Sequence, residues 1–152
     1  MSKLIITRGL PASGKSTWAK TWIGEDPAHR VRVNRDNLRF DLYGRYTDLA
    51  YEQEERITRL QRSRVLAALR VGHDVVVDDT HLRGLYVRQW ERLARQEGAE
   101  LVVLDFPIDV ATAIARDAAR ARSVGAAAIT HLADKFTDSG HLRPFASDLI
   151  GV

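Results

Sequence analysis

Short runs of apolar residues alternate along the chain with longer stretches in which apolar residues recur at helical spacing. The short runs predict four strands, at 3–8, 31–33, 74–78 and 101–104. The longer stretches predict helices near 18–23, 38–43, 49–71, 86–93 and 110–118, and a last helix that ends near 136. Because strands that alternate with helices build parallel sheets covered on both faces, we predict an α/β fold with about four or five parallel strands.

No repeat, low-complexity linker or shift in composition divides the sequence, which predicts a single domain over residues 1–152. The absence of cysteine excludes a disulfide scaffold, a thiolate zinc site and a cysteine nucleophile. No apolar run approaches the roughly 18 residues of a membrane span and no signal peptide is present, so we expect a cytoplasmic protein without a membrane partner. The apolar tail at 149–152 is expected to dock on the core or on a second subunit, which leaves a homo-oligomer open.

Positive charge exceeds negative charge by 3, and 19 of the 23 cationic side chains are arginine. The planar guanidinium group of arginine pairs with phosphate through two hydrogen bonds. The excess therefore fits a protein that binds phosphate esters, but a GC-rich genome would produce it as well.

The most specific motif is a phosphate-binding loop at 9–16, where Gly-Leu-Pro-Ala-Ser-Gly-Lys-Ser fits G-x-x-x-x-G-K-[ST] without a gap. The loop follows a predicted strand and opens a predicted helix, so backbone N–H groups and the helix N-terminus would converge on phosphate oxygens. Lys15 is expected to bridge the β- and γ-phosphates, and the Ser16 hydroxyl to bind Mg²⁺. The residues expected to hold ATP or another NTP are Gly9, Pro11, Ala12, Ser13, Gly14, Lys15, Ser16 and Thr17.

A phosphoryl-transfer site also needs an acid that holds the waters of Mg²⁺, normally at the end of a buried neighbouring strand. Asp78 and Asp79 both follow the valine run at 75–77. Successive strand residues point to opposite sides, so both acids cannot face one site unless the strand ends between them. Either acid could instead cap the following turn, and the pattern leaves open which of the two serves the metal.

Asp36 and Arg39 follow the second predicted strand and therefore lie at the same edge of the sheet. They are three residues apart, on one face of a helix. A carboxylate there can accept the proton of an attacking hydroxyl, and an arginine can hold a phosphate of the acceptor. The alternative is an aspartate that caps the helix beside a surface arginine. The neighbouring phosphate-binding loop favours the catalytic interpretation.

Arg116 and Arg120 lie one helical turn apart, with Arg122 close by, before the small-residue stretch 123–128. In a nucleotide kinase a short helical lid closes over the phosphates, and an arginine in the lid stabilises charge in the transition state. The alternative is a solvated basic helix face.

Taken in order, these segments resemble the kinase domain of bacteriophage polynucleotide kinases, known from the bifunctional polynucleotide kinase-phosphatases. The resemblance spans nearly the whole chain and rests on 9–19, on Val33-Asn34-Arg35-Asp36 with Arg39, on Asp79-Thr80 with Leu82, and on Arg116 and Arg120. The chain departs from the family pattern at Asp78, at His81 where asparagine is common, and at Gly125, which replaces a lid proline.

The resemblance implies a role for each matching residue. Asp36 would be the general base. Arg39 would bind the acceptor phosphate, with support from Asp79. Arg120 would clamp the donor phosphates, with Arg116 near the nucleotide.

The implied function is a P-loop kinase that transfers the γ-phosphoryl group of ATP or another NTP, with Mg²⁺, to 5′-hydroxyl ends of DNA or RNA in nucleic-acid repair. A phage-encoded enzyme would act in the cytoplasm of the bacterial host. A small-molecule kinase acting on a sugar, nucleoside or antibiotic hydroxyl shares every donor-side residue and is the first alternative. An NTP-binding module without catalysis is the second.

Overall fold

The computed structural model describes residues 1–144 and contains a parallel sheet of four strands. The strands are β1 (Lys3–Arg8), β2 (Arg30–Val33), β3 (Asp74–Val77) and β4 (Glu100–Asp105), in the order β2-β3-β1-β4. All three strand pairings are parallel. The predicted strands and their parallel arrangement are confirmed, while the apolar tail at 149–152 lies outside the described residues.

Six helices occur within residues 1–144. They are α1 (Lys15–Glu25), α2 (Arg35–Tyr43), α3 (Tyr51–Arg70), α4 (Gly84–Glu97), α5 (Val110–Ala118) and α6 (Ala126–Phe136). A small antiparallel hairpin, β5 (Thr137–Asp138) and β6 (His141–Leu142), follows α6 and was not predicted. Strands of two residues are too short to carry an alternating pattern. None of the helices in this part of the chain combines the length and apolar character of a membrane span.

The sheet is covered on both faces because successive side chains of each strand point to opposite sides. Val75 and Val77 pack in one core cluster with residues of α3 and α4. Val76 packs in a second cluster with Ala19 of α1, on the other face. This double burial explains why β3 is an uninterrupted valine run rather than an alternation of apolar and polar residues.

The carboxyl ends of the four parallel strands meet at one edge, and α5 and α6 form a short lid beside it. Leu10 and Leu82, from the loops after β1 and β3, pack against Ala133 of α6 and fasten the lid there. The predicted helical pairing of Arg116 with Arg120 is wrong, because α5 ends at Ala118 and Arg120 lies in the turn beyond it.

Candidate active site

A cleft of about 1550 Å³ opens at the carboxyl edge of the sheet. Its walls are the phosphate-binding loop, the first turn of α1, the ends of β2 and β3, α2, α3, α4 and the lid. The structure brings nearly all the candidate residues to this cleft. Those that line it are Pro11, Ala12, Ser13, Gly14, Lys15, Ser16, Thr17, Asp36, Arg39, Asp78, Asp79, Arg116 and Arg120. Gly9 lies just outside the lining, at the base of the loop.

Two glycines set the shape of the phosphate-binding loop. A Cβ atom on Gly9 would lie 2.9 Å from the carbonyl oxygen of Phe106, which is too close for any other residue. Gly14 caps the N-terminus of α1 with φ of 98°, in the left-handed region that only glycine adopts readily. The loop therefore curls tightly enough to present its backbone to a bound anion.

Lys15 is buried at the start of α1, where its ammonium group is held by the loop itself. Its Nζ donates hydrogen bonds to the carbonyl oxygens of Gly9 at 2.9 Å and Leu10 at 2.6 Å, and to Ser13 Oγ at 3.2 Å. Burial lowers the pKa of Lys15 to about 8, against the opposing effect of the two carboxylates after β3. A phosphate bound in the loop would place negative charge beside this amine and would favour its protonated form.

The two acids after β3 are held by different partners. Asp78 is buried, and its Oδ2 accepts from Arg32 Nε at 2.9 Å and from Nη2 of the same residue at 2.5 Å. Asp79 Oδ1 accepts from the backbone N–H of Arg35 at 3.1 Å, and its Oδ2 accepts from Gln61 Nε2 at 2.5 Å. Burial raises the pKa of Asp79. Because β3 ends before both acids, strand alternation does not separate them and both line the cleft.

Arg39 receives its support from Glu54 of α3, and the expectation that Asp79 supports it is wrong. Arg39 Nε and Nη2 donate to Glu54 Oε1 and Oε2 at 3.0 and 3.1 Å. Glu54 also accepts from Arg35 Nη2 at 2.8 Å. Burial acts to raise the pKa of Glu54, but the hydrogen bonds from Arg39 and Arg35 outweigh it and lower that pKa. The carboxylate of Asp79 is already bonded to Gln61 and to the backbone of α2.

Asp36 lies in the first turn of α2 with both carboxylate oxygens bonded to arginine. Its Oδ1 accepts from Arg39 Nη1 at 2.6 Å, and its Oδ2 accepts from Arg122 Nη2 at 3.1 Å. The residue that caps α2 is Asn34, whose Oδ1 accepts from the backbone N–H of Asn37 at 2.9 Å. The alternative of a capping aspartate is therefore wrong. With 38% of its side chain exposed to the cleft, Asp36 remains within reach of a small group.

Three arginines of the lid, Arg116, Arg120 and Arg122, are exposed and line the cleft. Arg120 lines the cleft together with the phosphate-binding loop, and burial and the charge of Arg120 both lower the pKa of Lys15. Arg122 extends toward α2, where it contacts Asp36 and lies 3.6 Å over the ring of Tyr46. The lid thus contacts both sides of the cleft.

The sequence pattern missed three polar residues that shape the site. Gln61 interrupts the apolar stripe of α3 between Ile57 and Val65, and a polar residue in a buried stripe was a signal of function that could have been used. Glu54 and Arg32 carried no comparable signal, because a charged residue on a helix or strand is ordinarily solvated.

The residues at the loop fit a magnesium ion that arrives with phosphate. Ser16 is exposed in the first turn of α1 and shares the cleft with Asp78. Both bonds from Arg32 end on Asp78 Oδ2, and no hydrogen bond within residues 1–144 ends on its Oδ1. Mg²⁺ uses few protein oxygens and keeps several waters. No group of three or more histidine or acidic side chains that could hold a resident metal occurs among the described residues.

Comparison with known proteins places the chain among P-loop phosphotransferases. Residues 4–138 match the family described as AAA domain. A protein of Autographa californica nuclear polyhedrosis virus, provisionally named bifunctional polynucleotide kinase/RNA ligase, is 32% identical over 76% of this chain and 18% of its own length. A chain in the solved Pnkp1/Rnl/Hen1 RNA repair complex is 27% identical, with a TM-score of 0.70 over 96% of this chain and 50% of that one.

A more distant structure shares the fold alone. The APS kinase of Mycobacterium tuberculosis is 18% identical, with a TM-score of 0.63 over 94% of this chain and 83% of the other. The chain thus spans half or less of the length of the viral protein and of the RNA-repair chain, but most of the length of the APS kinase.

Proposed function

The chain belongs to the AAA domain family and has the fold of a P-loop kinase that uses a nucleotide as phosphoryl donor, and we propose that it is a polynucleotide 5′-hydroxyl kinase. The observation that carries the proposal is a single cleft that joins the phosphate-binding loop to the Asp36–Arg39 pair. The viral and RNA-repair relatives support a polynucleotide as the acceptor. The product, a 5′-phosphate end, is the kind of end that a ligase joins.

On the acceptor side, Asp36 takes the proton of the 5′-hydroxyl as its oxygen attacks the γ-phosphorus of the donor. The bond from that phosphorus to the β–γ bridging oxygen breaks, and the products are a nucleoside diphosphate and a 5′-phosphorylated end. Arg39 holds the phosphate that follows the first nucleoside. Glu54 positions Arg39 through the hydrogen bonds that it accepts from Nε and Nη2. Arg122 of the lid also bonds to Asp36 on this side of the cleft.

On the donor side, the backbone of residues 9–14 surrounds the β-phosphate and Lys15 neutralises the β- and γ-phosphoryl oxygens. Arg116 and Arg120 approach the phosphates from the lid. Ser16, with Asp78 or Asp79 through water, would hold Mg²⁺. When bound, Mg²⁺ neutralises negative charge on the β- and γ-phosphates.

One assay separates the proposal from its two alternatives. The protein is incubated with γ-labelled ATP and Mg²⁺, with 5′-hydroxyl DNA and RNA oligonucleotides in parallel with sugars, nucleosides and antibiotics. Label on the oligonucleotides supports the proposal. Label on a small hydroxyl compound alone would identify a small-molecule kinase, and ATP binding without transfer to any acceptor would indicate an NTP-binding module. Because the proposed substrate is a polynucleotide, we also propose that the protein acts in the cytoplasm.

Nucleotide affinity should fall in alkaline solution because of Lys15. The pKa of this amine is lowered to about 8 in the free protein, so it loses its proton as the pH rises through that value. Only the protonated form attracts phosphate, and we expect ATP to bind roughly eightfold more weakly at about pH 9 than at about pH 7.5. Titration calorimetry measures the effect. Lys15→Met should bind weakly with no such pH dependence, and an equal slope in both proteins would contradict the assignment.

Glu54→Gln should raise the KM for a 5′-hydroxyl oligonucleotide about tenfold, because the two arginines that Glu54 holds lose a charged partner. The KM for ATP should change less than about twofold. Glu55→Gln, at the exposed next position of α3, is the matched control and should resemble the unmodified protein. Equal increases in both KM values would show that Glu54 supports the fold in general and not the acceptor arginines.

A further inference from the structure

Beyond Asp36 and Arg39 the cleft continues between α3 and α4. This part, which we call the α3–α4 channel, is lined by Thr58, Gln61, Arg62, Tyr86 and Gln89. We propose that the α3–α4 channel binds the single strand of nucleic acid that follows the 5′ end of the acceptor. The inference rests on the proposed kinase function and adds the surface that makes the acceptor a polynucleotide.

The charge of the channel suits a phosphodiester backbone. Arg62 is exposed on α3 and forms no salt bridge within residues 1–144, so its guanidinium group can pair with phosphate. The acid of α3 that also lines the cleft is Glu54, which is already paired with Arg35 and Arg39. Thr58, Gln61 and Gln89 line the channel with hydroxyl and amide groups.

Tyr86 gives the channel a surface for a nucleobase. It lies in the first turns of α4, lines the cleft and has 47% of its surface exposed, so its ring is accessible. No aromatic stacking partner for this ring occurs in the part of the chain that the structure describes. Bases stack on such a ring whatever their identity, which suits an enzyme that acts on ends of many sequences.

The spacing along α3 sets the length of strand that the channel accommodates. Glu54, beside the acceptor arginines, and Arg62 are eight residues apart, which is roughly 12 Å along a helix. Stacked nucleotides are separated by about 3.4 Å, so Arg62 would meet the strand roughly three or four nucleotides from its end. A nucleoside or sugar would leave this channel empty.

The test is a binding series with 5′-hydroxyl oligonucleotides, labelled with a dye at the 3′ end and roughly one to eight nucleotides long. Fluorescence anisotropy should show affinity that rises with length up to about four nucleotides and then levels off. Arg62→Ala should weaken binding of the longest strand about tenfold and reduce the salt slope by about one, and Tyr86→Leu should weaken it about five- to tenfold. Binding of the single nucleotide should not change.

The controls keep the residue type the same and leave the channel intact. Arg64→Ala changes an exposed arginine of α3 that does not line the cleft, and Tyr51→Leu does the same for an exposed tyrosine at the start of that helix. Equal effects of Arg62→Ala and Arg64→Ala would contradict the proposal that the α3–α4 channel binds the strand. An affinity that does not depend on oligonucleotide length would contradict it as well. Label transfer from ATP is measured in the same samples. Length-dependent binding without label transfer would contradict the proposed kinase activity but support strand binding in the channel. Label transfer without length-dependent binding would support the kinase activity and contradict strand binding in the channel.

Discussion

Replacing Asp36 by asparagine should lower kcat about 10²- to 10⁴-fold, the range that a general base contributes. The asparagine carbonyl oxygen can still accept the hydrogen bond from Arg39, so the shape of the site should persist. It cannot take a proton, and the attacking hydroxyl would then enter the reaction as a neutral, weaker nucleophile. Transfer of labelled phosphate at saturating ATP and oligonucleotide measures the loss, and the KM for ATP should be nearly unchanged.

Asp41→Asn is the matched control, since Asp41 is exposed on the same helix and does not line the cleft. This variant should retain full activity. Activity of Asp36→Asn above about a tenth of that of the unmodified protein would remove Asp36 as the base.

Lys15→Met should reduce transfer about 10²- to 10³-fold, because it removes a preorganised positive charge from the phosphates on which negative charge develops. The amine donates to three oxygen atoms of the loop, which fix its place before any nucleotide binds. Methionine fills similar space without a charge, so the variant isolates the electrostatic contribution. Single-turnover label transfer, with ATP high enough to saturate the variant, separates the chemical step from weaker binding.

The fold of the Lys15→Met protein should be intact. Burial disfavours the charged amine in the free protein, so its removal offsets the loss of hydrogen bonds, and the melting temperature should shift by only a few degrees. Lys3→Met, at an exposed position at the start of β1 and outside the cleft, should behave as the unmodified protein does. A variant at position 15 that melts cooperatively and still transfers phosphate at the normal rate would exclude the electrostatic role.

The strands and helices could be predicted because their signals are local. The valines of β3 are buried on both faces, so the run itself indicates a covered parallel strand. The phosphate-binding loop is contiguous, and Gly14 is required by the backbone conformation of the loop itself, so the motif alone located this loop. The sequence also placed Asp36 and Arg39 together, because residues at positions i and i+3 of a helix lie on the same face.

The partners of these residues could not be predicted in the same way. Arg39 and Glu54 are 15 residues apart, and Asp36 and Arg122 are 86 apart. No helical or strand period links such positions, and the crossing of α2 by α3 and the reach of the lid bring them together. The prediction that Asp79 supports Arg39 was wrong for this reason. Asp79 instead accepts a hydrogen bond from Gln61 of α3.

By itself, then, the sequence determined the parallel α/β fold, the donor loop and the face of α2 that carries the candidate base, because each depends on residues close together in the chain. The tertiary structure alone decided which acid holds Arg39, that both Asp78 and Asp79 line the cleft, and that the cleft extends between α3 and α4. These features depend on how separate elements pack, and packing is set by the whole core and not by any one segment.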